Sequence, residues 1–135
     1  MGGGGRFGDM LVSEVMLKGV QYAHRRTAAD LVASMMLEGF GAVPVVDEQQ
    51  RVVGIVSEHD LLSALDGGHE LDRLCAEDIM SRNPYTVRAE INLATLIHVL
   101  RSSDLVRVPV VDADGKLIGI VARRDILRTY LAKLG

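Results

Sequence analysis

At 135 residues, 48 % of them hydrophobic and 24 % charged, the chain has the length of one domain and can bury roughly 70 % of its extended surface. A net charge of −3 and a pI near 5.8 argue against a nucleic-acid groove or an anionic membrane surface as the main partner. A single cysteine, Cys75, excludes an intrachain disulfide framework and suits a reducing cytosol.

No apolar run approaches the ~20 residues of a spanning helix. A mean hydropathy of +0.20 is high for so short a chain and implies apolar surface that one copy does not cover, so self-association is expected.

In chain order, residues 1–9 (Met1-Gly2-Gly3-Gly4-Gly5-Arg6-Phe7-Gly8 and Asp9) read as a flexible leader without a signal-peptide apolar core. Val12–Met16 is a short helical stretch, and the segment through Tyr22–Arg26 is irregular. Thr27-Ala28-Ala29-Asp30 has a capping-box pattern. Ala28, Leu31, Val32, Met35 and Met36 then form one apolar helical face, ended by Gly39 and Gly41. Val43–Val46 and Val52–Val56 are β-branched runs around Asp47-Glu48-Gln49-Gln50, which predicts a hairpin. A helix carrying Leu61, Leu62 and Leu65 is expected from about Ser57.

The polar, glycine-bearing stretch near Asp66–Glu70 is a linker. Leu74–Met80 leads into a second set of elements, and Asn83-Pro84 breaks the chain. Leu93, Leu96, Ile97 and Leu100 mark a helix, and Asp112-Ala113-Asp114-Gly115 a firmer hairpin turn. Asp125–Leu134 closes the chain as an amphipathic helix with Ile126, Leu127, Tyr130, Leu131 and Leu134 inward.

The second half repeats the first. Val43-Pro44-Val45-Val46-Asp47 and Gly54-Ile55-Val56-Ser57-Glu58-His59-Asp60 return 65 residues later as Val108-Pro109-Val110-Val111-Asp112 and Gly119-Ile120-Val121-Ala122-Arg123-Arg124-Asp125. Ten of the twenty residues in 43–62 and 108–127 are identical. The expected fold is therefore α+β: two β-α-β-β-α repeats, 10–66 and 74–135, joined by a linker at 67–73 and related by a pseudo-two-fold axis. Two such sheets packed together bury faces that one alone would leave bare.

This duplication resembles the CBS domain (the cystathionine β-synthase type) as a tandem pair, or Bateman module, over about residues 10–134. The matching residues are Val15-Met16 and Ile79-Met80 in the lead-ins, the hydrophobic-Pro-Val-Val-Asp strands, and the Gly-Ile-Val-Ser-x-x-Asp run ending at Asp60. The resemblance implies a non-catalytic module that binds adenosine-containing ligands (AMP, ADP, ATP, S-adenosylmethionine or NAD) in the cleft between copies. It also implies a homodimer forming a flat four-domain disc that reports to a partner protein the sequence does not identify. No catalytic cofactor is implied.

On that reading Ser57 offers a hydroxyl to a phosphate, while Asp60, an acceptor-only carboxylate, takes ribose hydroxyls. Adenine is expected between Val15, Met16 and Val43 in one site, and between Ile79, Met80 and Val108 in the other. The copies depart from one another: Ala122 replaces the hydroxyl of Ser57, and Arg107 stands where the first copy has Ala42. The two sites are thus expected to be unequal, with Ser57 and Asp60 in one and Asp125 and Arg107 in the other. Arginine's planar fork suits a phosphate, and Arg124 is placed to meet a polyphosphate tail.

Plainer readings stand beside these. Ser57-Glu58-His59-Asp60 is also a sufficient capping box, and Asp125 has a helix-dipole reason to sit at a helix start. Pro44 and Pro109 read as strand-entry residues. His24, His59, His69 and His98 with Cys75 give no zinc spacing, and Met10, Met16, Met35, Met36 and Met80 read as core or interface filling. The rival functional class is an assembly or partner-docking module with decayed pockets, favoured by Ala42 and Ala122. An enzyme is disfavoured because no nucleophile–base pair, phosphate loop or metal set occurs in the sequence.

Overall fold

The computed structural model describes residues 6–39 and 41–134; the predicted leader's first five residues lie outside them. The elements in chain order are β1 (Ala23–His24), α1 (Ala29–Glu38), β2 (Ala42–Val46), β3 (Val52–Ser57), α2 (Glu58–Asp66), α3 (Ala76–Ile79), β4 (Ser81–Arg82), β5 (Val87–Arg88), α4 (Leu93–Arg101), β6 (Arg107–Val111), β7 (Leu117–Ala122) and α5 (Arg123–Leu134). Single 3-10 turns at Phe7–Asp9, Val12–Glu14 and Leu71–Arg73 lie between them. The α+β class expected from the sequence is the class observed.

The chain divides into two compact units whose boundaries are not those of the repeats. One gathers Val20–Pro84 with Asp114–Leu117; the other gathers the segment ending at Gly19, Tyr85–Ala113 and the chain from Ile118 onward. Each repeat's lead-in therefore belongs to the unit built on the other repeat.

In the unit built on the first repeat, the sheet order is β1-β2-β3-β4. The β1 strand runs parallel to β2, with Ala23 opposite Val45, and α1 makes the crossover. β2 and β3 form the predicted hairpin, and β4, from the second lead-in, adds antiparallel with Ser81 opposite Ile55. Val32, Met36, Val43, Val45 and Val56 make the buried core, with Ile79 and Met80 packed on it. The hairpin turn puts Gln50 at φ 68°, a region that costs a side-chain-bearing residue energy. Asp47 offsets this by accepting the Gln49 and Arg51 amides at 2.9 Å each. Gly115, at the equivalent position of the second hairpin, takes φ 81° without a Cβ.

The unit built on the second repeat repeats the plan with β5-β6-β7. The first lead-in lies along β7: the Leu17 N–H donates to the Ile120 carbonyl at 2.8 Å and the Ile120 N–H returns to Leu17 at 3.0 Å. Val12 and Val15 are buried with Leu93, Leu96, Val108, Val110 and Val121, and Met16 packs against them.

Several local expectations are corrected. Thr27 does not cap α1. Its hydroxyl accepts the His24 N–H, Ala28 is the N-cap residue, and the Ala29 amide is satisfied by the Leu74 carbonyl at 2.8 Å. The buried face of α1 is Ala29, Val32 and Met36, which leaves Leu31 exposed.

The α2 helix is found as expected; it buries Leu61 and Ala64, and Leu62 and Leu65 are exposed. The α5 helix starts at Arg123, two residues early, and buries only Asp125 and Ile126. Leu127, Tyr130, Leu131 and Leu134 are 47–69 % exposed. Phe7 does not belong to a structureless leader, since its ring meets Tyr130 edge-to-face at 5.2 Å. A short strand, β1, falls within the segment expected to be irregular. Pro44 and Pro109 sit third in β2 and β6 rather than at strand entry. Pro44 is tolerated because β1 reaches only Val45 and Val46, so no ladder donor is required there on that side.

The repeated glycines explain the close lead-in packing. A Cβ at Gly119 would lie 2.7 Å from Met16 Sδ and 3.0 Å from the Leu17 carbonyl oxygen. One at Gly54 would lie 2.8 Å from Met80 Cγ and 3.1 Å from the Ser81 carbonyl oxygen. Gly119→Ala should destabilise the protein by about 1–3 kcal/mol through overpacking, read as a lower urea midpoint. In a chain already carrying Met16→Ala the same glycine substitution should cost less, though not nothing, because the thioether is gone and the Leu17 carbonyl remains. An unchanged midpoint for Gly119→Ala would contradict the packing.

Candidate functional site

The crossing of the lead-ins changes which predicted residues meet. Val15 and Met16 were expected beside Val43, but they pack in the cluster that holds Val108 and Val121. Ile79 and Met80 were expected beside Val108, but they pack in the cluster that holds Val43 and Val56. The reason is the strand pairing: Leu17 bonds to Ile120, and Ser81 pairs with Ile55. Each unit thus holds a lead-in from one repeat and a strand–helix junction from the other.

At the β3–α2 junction, Ser57 is the N-cap residue and forms the reciprocal capping box with Asp60. The Ser57 N–H donates to Asp60 Oδ2 at 2.8 Å, and the Ser57 hydroxyl donates to the same oxygen at 3.0 Å. The Asp60 N–H returns to Ser57 Oγ at 3.2 Å. The hydroxyl proton is therefore committed to Asp60, and donating it to a phosphate would break that bond. Asp60 itself is half-buried. The box engages only Oδ2 and leaves Oδ1 outside it.

Asp60 lines a cavity of about 480 Å³ together with His69, Leu74, Asp78 and Ile79. Sequence reasoning did not single out His69, Leu74 or Asp78 for this site. Asp78 answers the Cys75 amide at 2.9 Å and its thiol at 3.3 Å, a capping box with cysteine in the serine role. The spacing Cys75-x-x-Asp78 was the signal that would have found it. The Cys75 amide bond, then the thiol bond, holds the Asp78 carboxyl below the usual carboxylate range. Two carboxylates on one wall favour hydroxyl donors over a phosphate there.

At the β7–α5 junction, Asp125 is 4 % exposed. The Ala122 N–H donates to its Oδ2 at 2.8 Å, so the backbone half of the box survives without the hydroxyl. Its Oδ1 accepts Arg128 Nη1 at 3.0 Å. Arg128 was missed, although Asp125 and Arg128 stand at helical i,i+3 spacing.

Arg107 begins β6 and is half-buried. The neighbouring Val106 carbonyl accepts the Arg123 N–H at 3.1 Å, which holds the start of β6 beside the start of α5. Arg124 is exposed. Arg123, by contrast, is structural: its guanidinium donates to the Leu105, Ser103 and Leu100 carbonyls and so closes the C-terminal end of α4. A second cavity of about 480 Å³, lined by Phe7, Ile97, Ile126, Leu127 and Tyr130 among others, holds none of the predicted site residues. No helix among the described residues is long and apolar enough to cross a membrane.

Comparison with known proteins agrees with this duplicated plan. The family model for the CBS domain matches residues 12–67 and again 76–132. An uncharacterised protein of Methanopyrus kandleri is 35 % identical over 103 residues, covering 76 % of this chain and 53 % of that protein. The chloroplastic CBS domain-containing protein CBSX2 of Arabidopsis thaliana is 31 % identical, covering 96 % of this chain and 65 % of that protein. The chain thus spans between half and two thirds of the length of these relatives.

Among solved structures, CBSX2 in complex with AMP superposes with a TM-score of 0.82 at 30 % identity, covering 93 % of this chain and 99 % of that one. The CBS domain pair of protein MJ0100, in complex with 5′-methylthioadenosine and S-adenosyl-L-methionine, does so with 0.81 at 27 % identity, covering 92 % and 98 %. Two matched repeats spanning nearly all of the described chain establish that it belongs to the CBS domain family, as a tandem pair.

Proposed function

We propose that the chain is a non-catalytic regulatory module that binds adenosine-containing ligands and passes their level to a partner protein. The observation that carries this reading is Asp60. It is a half-buried carboxylate at a helix start, its Oδ2 is fixed by the capping box, and it stands on the wall of a cavity that the apolar Ile79 also lines. Such a group accepts ribose hydroxyls, and apolar side chains accept the adenine face.

The first site is assigned to Asp60, Val43, Ile79 and Met80, with Ser57 holding the carboxylate in place. The second is assigned to Asp125, Val15, Met16 and Val108, with Arg107 and Arg124 for phosphate. Support comes from similar proteins solved with AMP and with S-adenosyl-L-methionine. A ligand that binds one arrangement of the module better than another shifts its population and so carries the signal. A reducing compartment such as the cytosol suits the single cysteine.

The rival reading, assembly without ligand, has one observation in its favour: Asp125 already has both oxygens engaged. Calorimetric titration with AMP and adenosine separates the two. Asp60→Ala should lose roughly tenfold or more in AMP affinity, the worth of one charge-assisted bond of about 1.5–3 kcal/mol. Ser57→Ala should cost less, because the Ser57 backbone amide still holds Asp60. Arg107→Ala should weaken AMP at one site while sparing adenosine, which has no phosphate. No binding of either ligand to the wild type would establish the assembly reading instead.

We further propose a homodimer, based on the uncovered apolar rows Leu62 and Leu65 on α2 and Leu127, Leu131 and Leu134 on α5. Light scattering at micromolar concentration should return about twice the 14.6 kDa chain mass. A single-chain mass would refute the dimer.

A further inference from the structure

We propose that Arg128 is a latch on the second site, holding the Asp125 carboxylate closed against a ribose until the guanidinium swings away. The inference rests on the adenosine-binding reading and adds a regulatory element that the first site lacks. The Asp125 side chain is 5 % exposed and that of Arg128 59 %, so the arginine reaches in from solvent to close over a buried acceptor. The Ala122 amide holds Oδ2 and Arg128 Nη1 lies against Oδ1, the oxygen that the capping box leaves open in the first repeat. A ribose hydroxyl approaching the 5 % exposed carboxylate therefore meets the guanidinium there.

The first repeat supplies the internal control. The position one turn beyond Asp60 is Ser63, whose short side chain meets His59 (Oγ to Nε2, 3.4 Å) instead of the carboxylate. Asp60 Oδ1 thus has no competing guanidinium on α2, while Asp125 has one on α5. The repeats otherwise keep the same amide-to-Oδ2 bond at 2.8 Å in both copies. The copies also differ in the Ser57 hydroxyl, which Ala122 lacks, but only Arg128 sets a guanidinium on the carboxylate.

A ligand that binds only the open form has its affinity reduced by the fraction of molecules that are open. Because Arg128 is mostly exposed, the ion pair is modest and weakened by salt, as a latch that must open requires. The first site should therefore fill first.

The test uses the full chain carrying Asp60→Ala, so that the second site is read alone, titrated calorimetrically with adenosine. Adenosine is uncharged, so its own binding has little salt dependence. Adding Arg128→Ser or Arg128→Gln should raise adenosine affinity roughly two- to fivefold, and Arg128→Lys, which keeps the cation, should recover most of the closure. Raising NaCl from about 50 mM to about 500 mM should strengthen adenosine binding in the Asp60→Ala chain and leave the Arg128→Ser double variant unchanged.

If Arg128→Ser and Arg128→Gln leave affinity unchanged or weaken it while adenosine still binds, the latch is wrong and the functional reading survives. If neither the wild type nor any Arg128 variant binds adenosine or AMP, the functional reading falls and the latch falls with it.

Discussion

The backbone pairing of each lead-in with the Gly-Ile-Val strand of the opposite repeat governs the packing of both units. Leu17 exchanges two hydrogen bonds with Ile120, and Ser81 pairs with Ile55. Those bonds bring Met16 over Gly119 and Met80 over Gly54, at distances that no side chain on the glycine would allow. The same crossing satisfies the first amide of the leading helix in each unit: Ala29 donates to Leu74, and Leu93 to Met10. Without the crossing, two helix starts lose a backbone acceptor and two glycines lose their reason. Each compact unit would also lose the edge of its sheet or the packing over it.

The order of elements was legible in the sequence because duplication doubles every signal. Val-Pro-Val-Val-Asp, the β-branched second strand and the Ser57–Asp60 box each appear with a counterpart that tests them. The crossing was not legible, because two similar lead-ins suit two similar strands in either pairing and the pattern of Val15-Met16 is also that of Ile79-Met80. Helix faces were misread for a related reason. The sequence of α5 offers Leu127, Tyr130, Leu131 and Leu134 at helical spacing, but apolar periodicity cannot tell a face turned to this chain's core from one left uncovered. Thr27 misled because a remote carbonyl, that of Leu74, took over part of the cap's task.

The site shows the same division. Ser57, Asp60 and Asp125 were visible as a repeated strand–helix junction, and the loss of the hydroxyl at Ala122 pointed to a difference between the copies. The physical form of that difference was not visible. The missing hydroxyl matters less than expected, because the backbone amide holds each aspartate at the same distance in both copies. A further difference lies in the next turn of the helix, where one copy has Ser63 and the other Arg128, whose guanidinium meets the carboxylate. Asp78 and His69 were missed because they enter the Asp60 cavity from the opposite repeat's lead-in and from the linker, which no local motif records.

The Asp60 carboxylate shares its cavity with His69, Leu74, Asp78 and Ile79, which come from the linker and the opposite repeat's lead-in, whereas Asp125 Oδ1 is met by Arg128 on its own helix. Site assignment and the glycine requirement therefore both rest on the pairing of lead-in and strand. That pairing is tested most directly by methyl nuclear Overhauser contacts of the Met16 Cε group in labelled protein. Contacts to the methyls of Val108 and Val121 are the predicted result. Contacts to Val43 and Val56 in their place would mean that each lead-in packs on its own repeat, and would contradict the crossing.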